Sequence, residues 1–280
     1  MTDKGADAHG PLPEGAICPK CLGLRIDTEE VRAIVKARMA AFGFKATGRR
    51  CHCEEEPERT WQQRRQHYAN LPHEGSPRTF RTFVRVHGSE EAIDAAKEFA
   101  ESDGPPHLLV LVGQVGSGKS HLLEAMARRR VKRGYLTRYE YIPELLDRLR
   151  STFGDRERPG EYLPASPYEL FEQYSRVETL ILDDLGADKP LGKESASEWA
   201  AGQITNLVDR RCRQGERLAL GTNLVMEQRK DKHGNPMKGE PLGVAEAYGW
   251  RLASRLWDKT GDVRLVTMTC GDFRRRGLEG

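Results

Sequence analysis

The stretch Leu108–Ser120, LLVLVGQVGSGKS, decides the fold, because an apolar run typical of a buried strand leads there directly into a glycine-rich loop. The segment HLLEAMARRR, which follows it, has the pattern of a helix. A glycine-rich loop in this position can turn its backbone N–H groups inward at the N-terminus of the helix, where the helix dipole favours negative charge. The stretch therefore predicts a phosphate site between a strand and a helix.

The loop also has the residue spacing of a nucleotide-binding motif. Gly113, Gly118, Lys119 and Ser120 fit the P-loop pattern, in which the lysine reaches the β- and γ-phosphates and the serine hydroxyl is a ligand of Mg²⁺. A plain flexible turn is the alternative, and the flanking strand and helix argue against it. The predicted nucleotide-binding residues are Gly113, Gly116, Ser117, Gly118, Lys119, Ser120 and His121.

The composition describes a charge-rich globular chain of 280 residues, 38% hydrophobic and 31% charged, with room for one large and one small domain. The net charge of +3 is too small to indicate nucleic-acid binding by itself. No apolar stretch approaches the roughly 18 residues of a membrane span, and the first ten residues lack a signal-peptide core. We therefore expect a cytoplasmic protein with no membrane partner and with reduced cysteines.

From His107 onward, strand and helix patterns alternate along the chain. The five predicted strands are LLVLV, YLTRYEY, TLILDD, RLALGT and VRLVTMT, and the helical patterns between them include residues 194–213 and 244–258. Apolar runs with little alternation suit strands that are covered on both faces. The predicted fold class is α/β, a P-loop fold with a five-stranded parallel sheet flanked by helices.

Two carboxylates, Asp183 and Asp184, end the third predicted strand. An acid at the C-terminal end of a parallel strand points into the crevice where α/β sheets bind ligands. We expect Asp183 to hold Mg²⁺ together with Ser120, and Asp184 to act as general base; two solvated acids are the alternative. Asn223 could hydrogen-bond the γ-phosphate and the attacking water, although asparagine after a strand is often only turn chemistry. Phosphoryl transfer depends mainly on positioning and charge neutralisation, so a lysine, a metal ion and an acid that orients water form a sufficient catalytic set.

Two close cysteine pairs near the N-terminus provide four thiolates, the number that a closed tetrahedral zinc site requires. The predicted zinc ligands are Cys18, Cys21, Cys51 and Cys53. His52 could replace one cysteine of the second pair. The cysteines could instead be unliganded core thiols or a redox pair, and a redox pair would need a βαβ context that is absent here.

The turn-rich segment HEGSPR places a domain boundary near residue 75. A domain of about 75 residues with few large apolar side chains needs a metal to fold. We therefore predict a zinc-binding domain over residues 1–75 and an ATPase domain over residues 76–280.

Taken together, the motifs resemble those of the AAA+ ATPases, and within them the DnaC-like helicase loaders and their IstB-like relatives. The resemblance runs in order through RTFRTF, VGSGKSHLLEA, TLILDDLG, NLVDRRCRQGERLALGTN, RLASRL and GDFRR. It implies ATP as the ligand, with Lys119 and Ser120 in Walker A, Asp183 and Asp184 in Walker B, and Asn223 as sensor 1.

The resemblance also implies that Arg255 is a catalytic arginine finger, which reaches in trans into the ATP site of a neighbouring subunit, so that the chain would self-assemble. Arg251 could share or take that role, and a plain surface arginine is the alternative. Only GDFRRRGLEG follows the fifth predicted strand. We therefore expect no C-terminal lid, as in the loaders.

As function, the resemblance implies an ATP-dependent loader that binds a hexameric, DnaB-type replicative helicase through the zinc-binding domain and places it on single-stranded DNA. One alternative is an IstB-like helper of DNA transposition or recombination. A second is an adaptor that binds ATP as a ligand and does not hydrolyse it.

The segment between the second and third strands is longer than one crossover helix needs, and it resembles an inserted helical motif that lines the pore of assembled loaders. The candidate contacts to single-stranded DNA are Arg148, Arg150 and Arg156 for phosphates, and Phe153 or Tyr162 for stacking on bases. The alternative is a core face, because positions 145, 149 and 153 recur at the four-residue spacing of a packed helix.

Overall fold

The computed structural model describes residues 66, 68–71, 78–151, 174, 177–187, 195–226, 232, 243–258 and 261–273. The contacts divide the chain into the units Met1–Tyr68 and Ala69–Gly280, and all helices and strands described below belong to the second unit. Within the described residues, no helix is long and apolar enough to cross a membrane. The domain boundary near residue 75 and the absence of a lid stay predictions.

The described residues form six helices and five strands. In chain order these are α1 (Glu90–Glu101), β1 (Leu108–Gly113), α2 (Lys119–Lys132), β2 (Thr137–Tyr141), α3 (Ile142–Ser151), β3 (Thr179–Leu185), α4 (Ser195–Gln214), β4 (Arg217–Thr222), α5 (Val244–Tyr248), α6 (Trp250–Leu256) and β5 (Val263–Met268).

The five strands form one parallel sheet in the order β2-β3-β4-β1-β5. All residues of β1 and β4 are buried, as expected for central strands with helices on both faces. The α/β class and the five parallel strands are therefore confirmed. Because the strands are parallel, the ends of β1, β3 and β4 that carry the predicted site residues lie along the same edge of the sheet.

The core on one face of the sheet is formed by α1 and α2. Phe99 of α1 and Leu122 and Met126 of α2 are at most 1% exposed, and they pack in one cluster with Leu109 and Leu111 of β1. Leu109 and Leu111 are two residues apart and so point to the same face. This packing fixes α2, and with it the loop that precedes α2, against the centre of the sheet.

Two local predictions need correction. The helical pattern 244–258 is two short helices, because Gly249 between them has φ +85° and ψ 161°, which is outside the helical region. The sequence SEEAIDAAKEFAES predicts a capped helix from about Ser89, and α1 does begin after that residue, but the Ser89 hydroxyl donates to the Val86 carbonyl and does not cap the helix.

Candidate functional site

The glycine-rich loop connects β1 to α2, and its glycines meet close neighbours. Gly116 and Gly118 have φ values of +78° and +99°, which side chains rarely adopt. A Cβ on Gly116 would lie 1.7 Å from Asp272 Oδ1, and one on Gly118 would lie 2.9 Å from the Phe83 ring. Both glycines are therefore required by backbone shape and by the segments that pack on the loop.

Lys119, the first residue of α2, is 6% exposed. Its Nζ donates to the carbonyls of Gly113, at 2.7 Å, and Gln114, at 2.9 Å. The ammonium is thus held against the loop at the N-terminus of a helix. A positive charge and a helix N-terminus at one place are the two features that attract a phosphate group.

Asp183, near the end of β3, is 4% exposed, and Tyr139 of β2 donates its hydroxyl to Oδ2 at 2.6 Å. The other oxygen, Oδ1, is buried and has no hydrogen-bond partner. Burial raises the pKa of Asp183, and hydrogen bonds from Tyr139 and Ser120 partly oppose that shift. The side chain therefore lacks a ligand for one buried oxygen.

The unpaired oxygen and its surroundings fit a magnesium ion. A carboxylate oxygen near a serine hydroxyl is a ligand set that hard dications prefer, and Mg²⁺ usually takes one or two carboxylates plus phosphates. A Cβ at Gly221 of β4 would lie 3.2 Å from Asp183 Oδ1, so the glycine leaves space beside that oxygen. The described residues contain no group of three or more acidic, histidine or cysteine side chains for a metal, and this kind of site needs none. Asp183 and Ser120 would hold the ion.

Asp184 adopts a strained backbone conformation, with φ +64°. The pairing of β3 with β4 shifts register between Leu182 and Leu185, around this residue. Its Oδ1 accepts a hydrogen bond from Asn223 Nδ2 at 2.9 Å, and its Oδ2 accepts one from the Tyr141 hydroxyl at 3.3 Å. Strain of this kind persists where neighbours hold it, often at functional sites. The structure therefore joins the predicted general base to the predicted sensor.

Sequence reasoning missed the two tyrosines of β2, Tyr139 and Tyr141. Their spacing of two residues puts them on one face of the strand, and Tyr141 pairs in register with Asp183. Burial, followed by the nearby aspartate charges, raises the pKa of both hydroxyls, so both are donors at neutral pH. The signal in the sequence was a pair of tyrosines, two residues apart, at the end of a strand. That the two hydroxyls donate to the aspartates could not be predicted from this pair, because it depends on β2 lying next to β3.

The predicted finger, Arg255, lies in a cluster around Asp209 of α4, which no sequence signal revealed. Arg255 Nε donates to Asp209 Oδ1 at 2.9 Å, and Arg251 donates to Oδ2 at 2.6 Å. A third guanidinium, that of Arg213, lies 3.1 Å from the same Oδ2. Burial alone would raise the pKa of Asp209, but these arginines outweigh it and lower that pKa.

The Asp209 cluster holds three positive charges around one carboxylate. The Asp209 side chain is 3% exposed, whereas those of Arg251 and Arg255 are 62% and 42% exposed. The guanidinium of each candidate finger is therefore held by Asp209, while much of each side chain is open to solvent. Their action in trans stays a prediction.

The DNA candidates on α3 have partners in their own chain. Arg148 donates with both terminal nitrogens to Glu140, which is fully buried, and Arg150 pairs with Asp147 at 2.8 Å. Leu145 and Leu149 are buried, so part of the helix is a core face. This agrees with the alternative prediction from the four-residue spacing of positions 145 and 149. Phe153, Arg156 and Tyr162 lie outside the described residues. The DNA contacts of this segment stay predictions.

His121 lies against the segment 78–83, where its Nε2 is 3.0 Å from the Thr79 carbonyl, and its ring meets that of Phe83 edge-on at 5.2 Å. Its predicted nucleotide contact stays a prediction. The four zinc candidates, Cys18, Cys21, Cys51 and Cys53, lie outside the described residues together with His52. The zinc site is therefore also still a prediction.

The sheet order, the P-loop after β1 and the acidic pair at the end of β3 together define an ATP-binding protein of the AAA+ class. Residues 98–237 match the family model described as "IstB-like ATP binding protein". The match spans half of the chain, and the chain belongs to this family.

Among individual relatives, the chain is similar to the replicative helicase loader DnaC of Escherichia coli strain K12, with 24% identity over 175 residues, 62% of each chain. It is also similar to the loader DnaI of Bacillus subtilis, with 26% identity over 180 residues, 63% of this chain and 51% of DnaI. The chain thus spans less than two thirds of these relatives. The crystal structure of the DnaC helicase loader aligns with 68% of this chain and 96% of its own, at 18% identity and a TM-score of 0.47.

Proposed function

We propose that this protein is a Mg²⁺-dependent ATPase that loads a hexameric, DnaB-type replicative helicase onto single-stranded DNA. The observation that carries the ATPase part is the unpaired buried oxygen of Asp183, at the edge of the sheet where Lys119 and Asp184 also lie. The metal, the phosphates and the attacking water would meet at that edge.

Each residue of the site has a task in this mechanism. Lys119 and the loop N–H groups hold the β- and γ-phosphates, and Ser120 and Asp183 hold Mg²⁺, which neutralises phosphate charge when bound. Asp184 accepts the proton of the attacking water. Asn223 and Tyr141 each donate to one oxygen of Asp184, so the carboxylate keeps one orientation.

The arginine cluster around Asp209 is the basis for a catalytic contact that we propose between neighbouring subunits. Charge accumulates on the transferred phosphoryl group, and a guanidinium from a neighbouring subunit would stabilise it. In this proposal Arg255 supplies that charge and Asp209 fixes the direction of its side chain. The finger would then be ordered before the neighbour arrives, which lowers the entropy lost on assembly.

The loader part of the proposal is supported by relatives that are named replicative helicase loaders. We propose that residues 1–75 form a zinc-binding domain that binds the helicase, and that ATP controls self-assembly and the grip on single-stranded DNA. Membership of the IstB-like family supports a second candidate, an ATPase helper of DNA transposition.

A pull-down with a purified DnaB-type helicase separates the two candidates. A loader retains the helicase in the presence of ATP and Mg²⁺, and the Lys119→Ala variant alters that complex. A transposition helper retains no helicase under the same conditions, but retains its cognate transposase. Zinc content of the full chain, measured by mass spectrometry, tests the four cysteines independently of either partner.

A further inference from the structure

Asp183 lies on β3, between β2 and β4, and its two oxygens face different neighbouring strands. Oδ2 accepts a hydrogen bond from the Tyr139 hydroxyl of β2 at 2.6 Å. A Cβ built on Gly221 of β4 would lie 3.2 Å from Oδ1, so Oδ1 lies toward β4. The next strand after β4 in the sheet is β1, which leads into the glycine-rich loop. The oxygen that Tyr139 does not bind is therefore the one on the side of that loop.

The hydrogen bond from Tyr139 fixes the plane of the Asp183 carboxylate. An ionised carboxylate only accepts hydrogen bonds, so the tyrosine hydroxyl is the donor. Rotation about the Cβ–Cγ bond of Asp183 would break this hydrogen bond, and a half turn would only exchange two equivalent oxygens. Among the described residues, the buried Oδ1 has no hydrogen-bond partner of its own. Tyr139 therefore keeps one unpaired oxygen on the β4 side.

Tyr139 is itself held in place from the edge of the sheet. Its side chain is buried, and β2 is the first strand in the sheet order. The Tyr139 N–H donates to the Ala69 carbonyl at 2.9 Å, and Asn70 Nδ2 donates to the Tyr139 carbonyl at 3.1 Å. Both main-chain groups of Tyr139 are thus paired with the segment 69–70, so the tyrosine ring extends from a fixed backbone.

We propose that Tyr139 is a positioning residue for the bound metal, that it orients Asp183 so that Oδ1 faces Mg²⁺, and that the segment 69–70 holds Tyr139 for this task. Ligands of metals in proteins depend on such outer hydrogen bonds, and the loss of one typically costs about 10–100-fold in metal affinity or activity. The inference rests on the proposed ATPase function, which supplies Mg²⁺ and the nucleotide.

The test measures binding, with the full chain and a fluorescent, non-hydrolysable ATP analogue followed by anisotropy. Each protein is titrated once in EDTA and once in saturating Mg²⁺, so that the gain in affinity reports the contribution of the metal. Tyr139→Phe keeps the ring and removes the hydroxyl. It is expected to bind the analogue like the wild type in EDTA and about tenfold more weakly in Mg²⁺. Wild-type affinity of the variant in Mg²⁺ would overturn the proposal.

The matched control is Tyr174→Phe, because Tyr174 is also buried and also donates to a buried carboxylate. Its hydroxyl donates to Glu140 Oε1 at 2.8 Å, and Glu140 is not a proposed metal ligand. This variant is expected to keep both affinities at the wild-type values. Equal losses in Mg²⁺ for the two variants would show a general effect of losing a buried hydrogen bond, and the positioning role would be wrong.

Tyr141→Phe separates metal binding from the chemical step, because Tyr141 donates to Asp184, the proposed general base. It is expected to keep the affinity in Mg²⁺ and to lower the turnover of ATP. Tyr139→Phe is expected to regain much of its turnover as the Mg²⁺ concentration is raised. A Tyr139→Phe protein that binds the analogue normally in Mg²⁺ but turns over slowly would place Tyr139 in the chemical step instead.

Asn70→Gly tests the support from the segment 69–70. Glycine readily adopts the φ of +53° found at Asn70, and the change removes the amide that holds the Tyr139 carbonyl. The variant is expected to lose affinity in Mg²⁺ several-fold and to bind normally in EDTA. Wild-type affinity in both buffers would mean that this support is not needed, and that part of the inference would be wrong.

The wild type in the same titrations separates failure of the inference from failure of the proposed function. A wild type that binds no analogue, or that gains no affinity from Mg²⁺, would contradict the proposed Mg²⁺-dependent ATPase and the inference with it. A wild type that gains affinity from Mg²⁺ and hydrolyses ATP, matched by Tyr139→Phe in every measurement, would leave the function standing and overturn only the positioning role.

Discussion

Removing the charge of Asp183 is expected to stabilise the protein when magnesium and nucleotide are absent. Asp183→Asn keeps the shape of the side chain and an oxygen for the Tyr139 hydroxyl, but it eliminates a buried carboxylate whose Oδ1 has no partner. Leaving a buried polar acceptor unpaired costs about 1–3 kcal/mol, more when it is charged. The amide nitrogen that replaces Oδ1 is also unpaired but neutral, so the variant removes the cost of the charge, and we expect the free energy of unfolding to rise by ~1 kcal/mol.

The size of the thermal shift follows from the length of the chain. For domains of roughly 150–250 residues, 1 kcal/mol moves the melting temperature by about 2–4 °C. Asp183→Asn should therefore melt at least ~2 °C above the wild type in a buffer with EDTA. The same variant should bind Mg²⁺ and ATP together poorly, because its amide is a weaker ligand than a carboxylate, so saturating Mg²⁺ and ATP should reverse the order of the two melting temperatures.

The contribution of Asp183 to the stability of the folded protein changes with pH in a definite direction. Burial raises the pKa of Asp183 in the folded protein, so between the ordinary aspartate value and that raised value the folded state binds more protons than the unfolded state. Wild-type stability from this group therefore falls as the pH rises through that window. The advantage of Asp183→Asn should be full above the window and should vanish below it, where the wild-type carboxyl is also neutral.

A matched control is Asp184→Asn, because both oxygens of Asp184 already accept hydrogen bonds, from Asn223 and Tyr141. That variant should gain no stability, since it relieves no unpaired charge. A melting temperature of Asp183→Asn equal to or below that of the wild type in EDTA would refute the interpretation of Oδ1 as an unpaired metal ligand.

The remaining predictions concern three basic residues. Lys119→Ala should abolish ATP binding in a direct titration, because Lys119 places the ammonium against the loop; unchanged affinity would contradict the loop assignment. Arg255→Ala should keep ATP binding and lose on the order of 10³-fold in stimulated turnover. A mixture of Arg255→Ala with Lys119→Ala protein should regain some activity, and a mixture that assembles but stays inactive would favour a cis role. Arg148→Ala should lower the free energy of unfolding by about 1.5–3 kcal/mol, because the buried Glu140 loses one charged partner while it keeps Arg138 and the Tyr174 hydroxyl. The control Arg150→Ala removes an exposed pair and should cost at most about 1 kcal/mol, so equal costs for the two variants would contradict the structural role of Arg148.

The order of the elements could be predicted from the sequence because each one is a local pattern. The strand β4 is the predicted run RLALGT without change, because all six residues are buried and the run is largely apolar, as in other strands that are covered on both faces. The two glycines of the loop and the acids of β3 could be found for a similar reason, because their spacing along the chain carries the chemistry.

The rest of the site could not be predicted because it depends on which strands and helices become neighbours. Tyr139 reaches Asp183 across 44 positions, and Arg255 reaches Asp209 across 46. Neither contact leaves a periodic trace in the sequence. Arg130 shows the same limit: three consecutive arginines, residues 128–130, are typical of a solvated basic face, yet Arg130 is 2% exposed and pairs with Asp103, two residues after α1.

The central claim is that Asp184 activates water for ATP hydrolysis at a site built by Lys119 and Asp183. The most direct measurement is steady-state ATP turnover by the wild type and Asp184→Asn, with ATP affinity determined on the same preparations in the presence of Mg²⁺. We predict equal affinities and a turnover that is lower in the variant by about 10²–10⁴-fold, the usual contribution of a general base. Equal turnover in the two proteins, or no turnover in a wild type that binds ATP and is supplied with helicase and single-stranded DNA, would contradict the account.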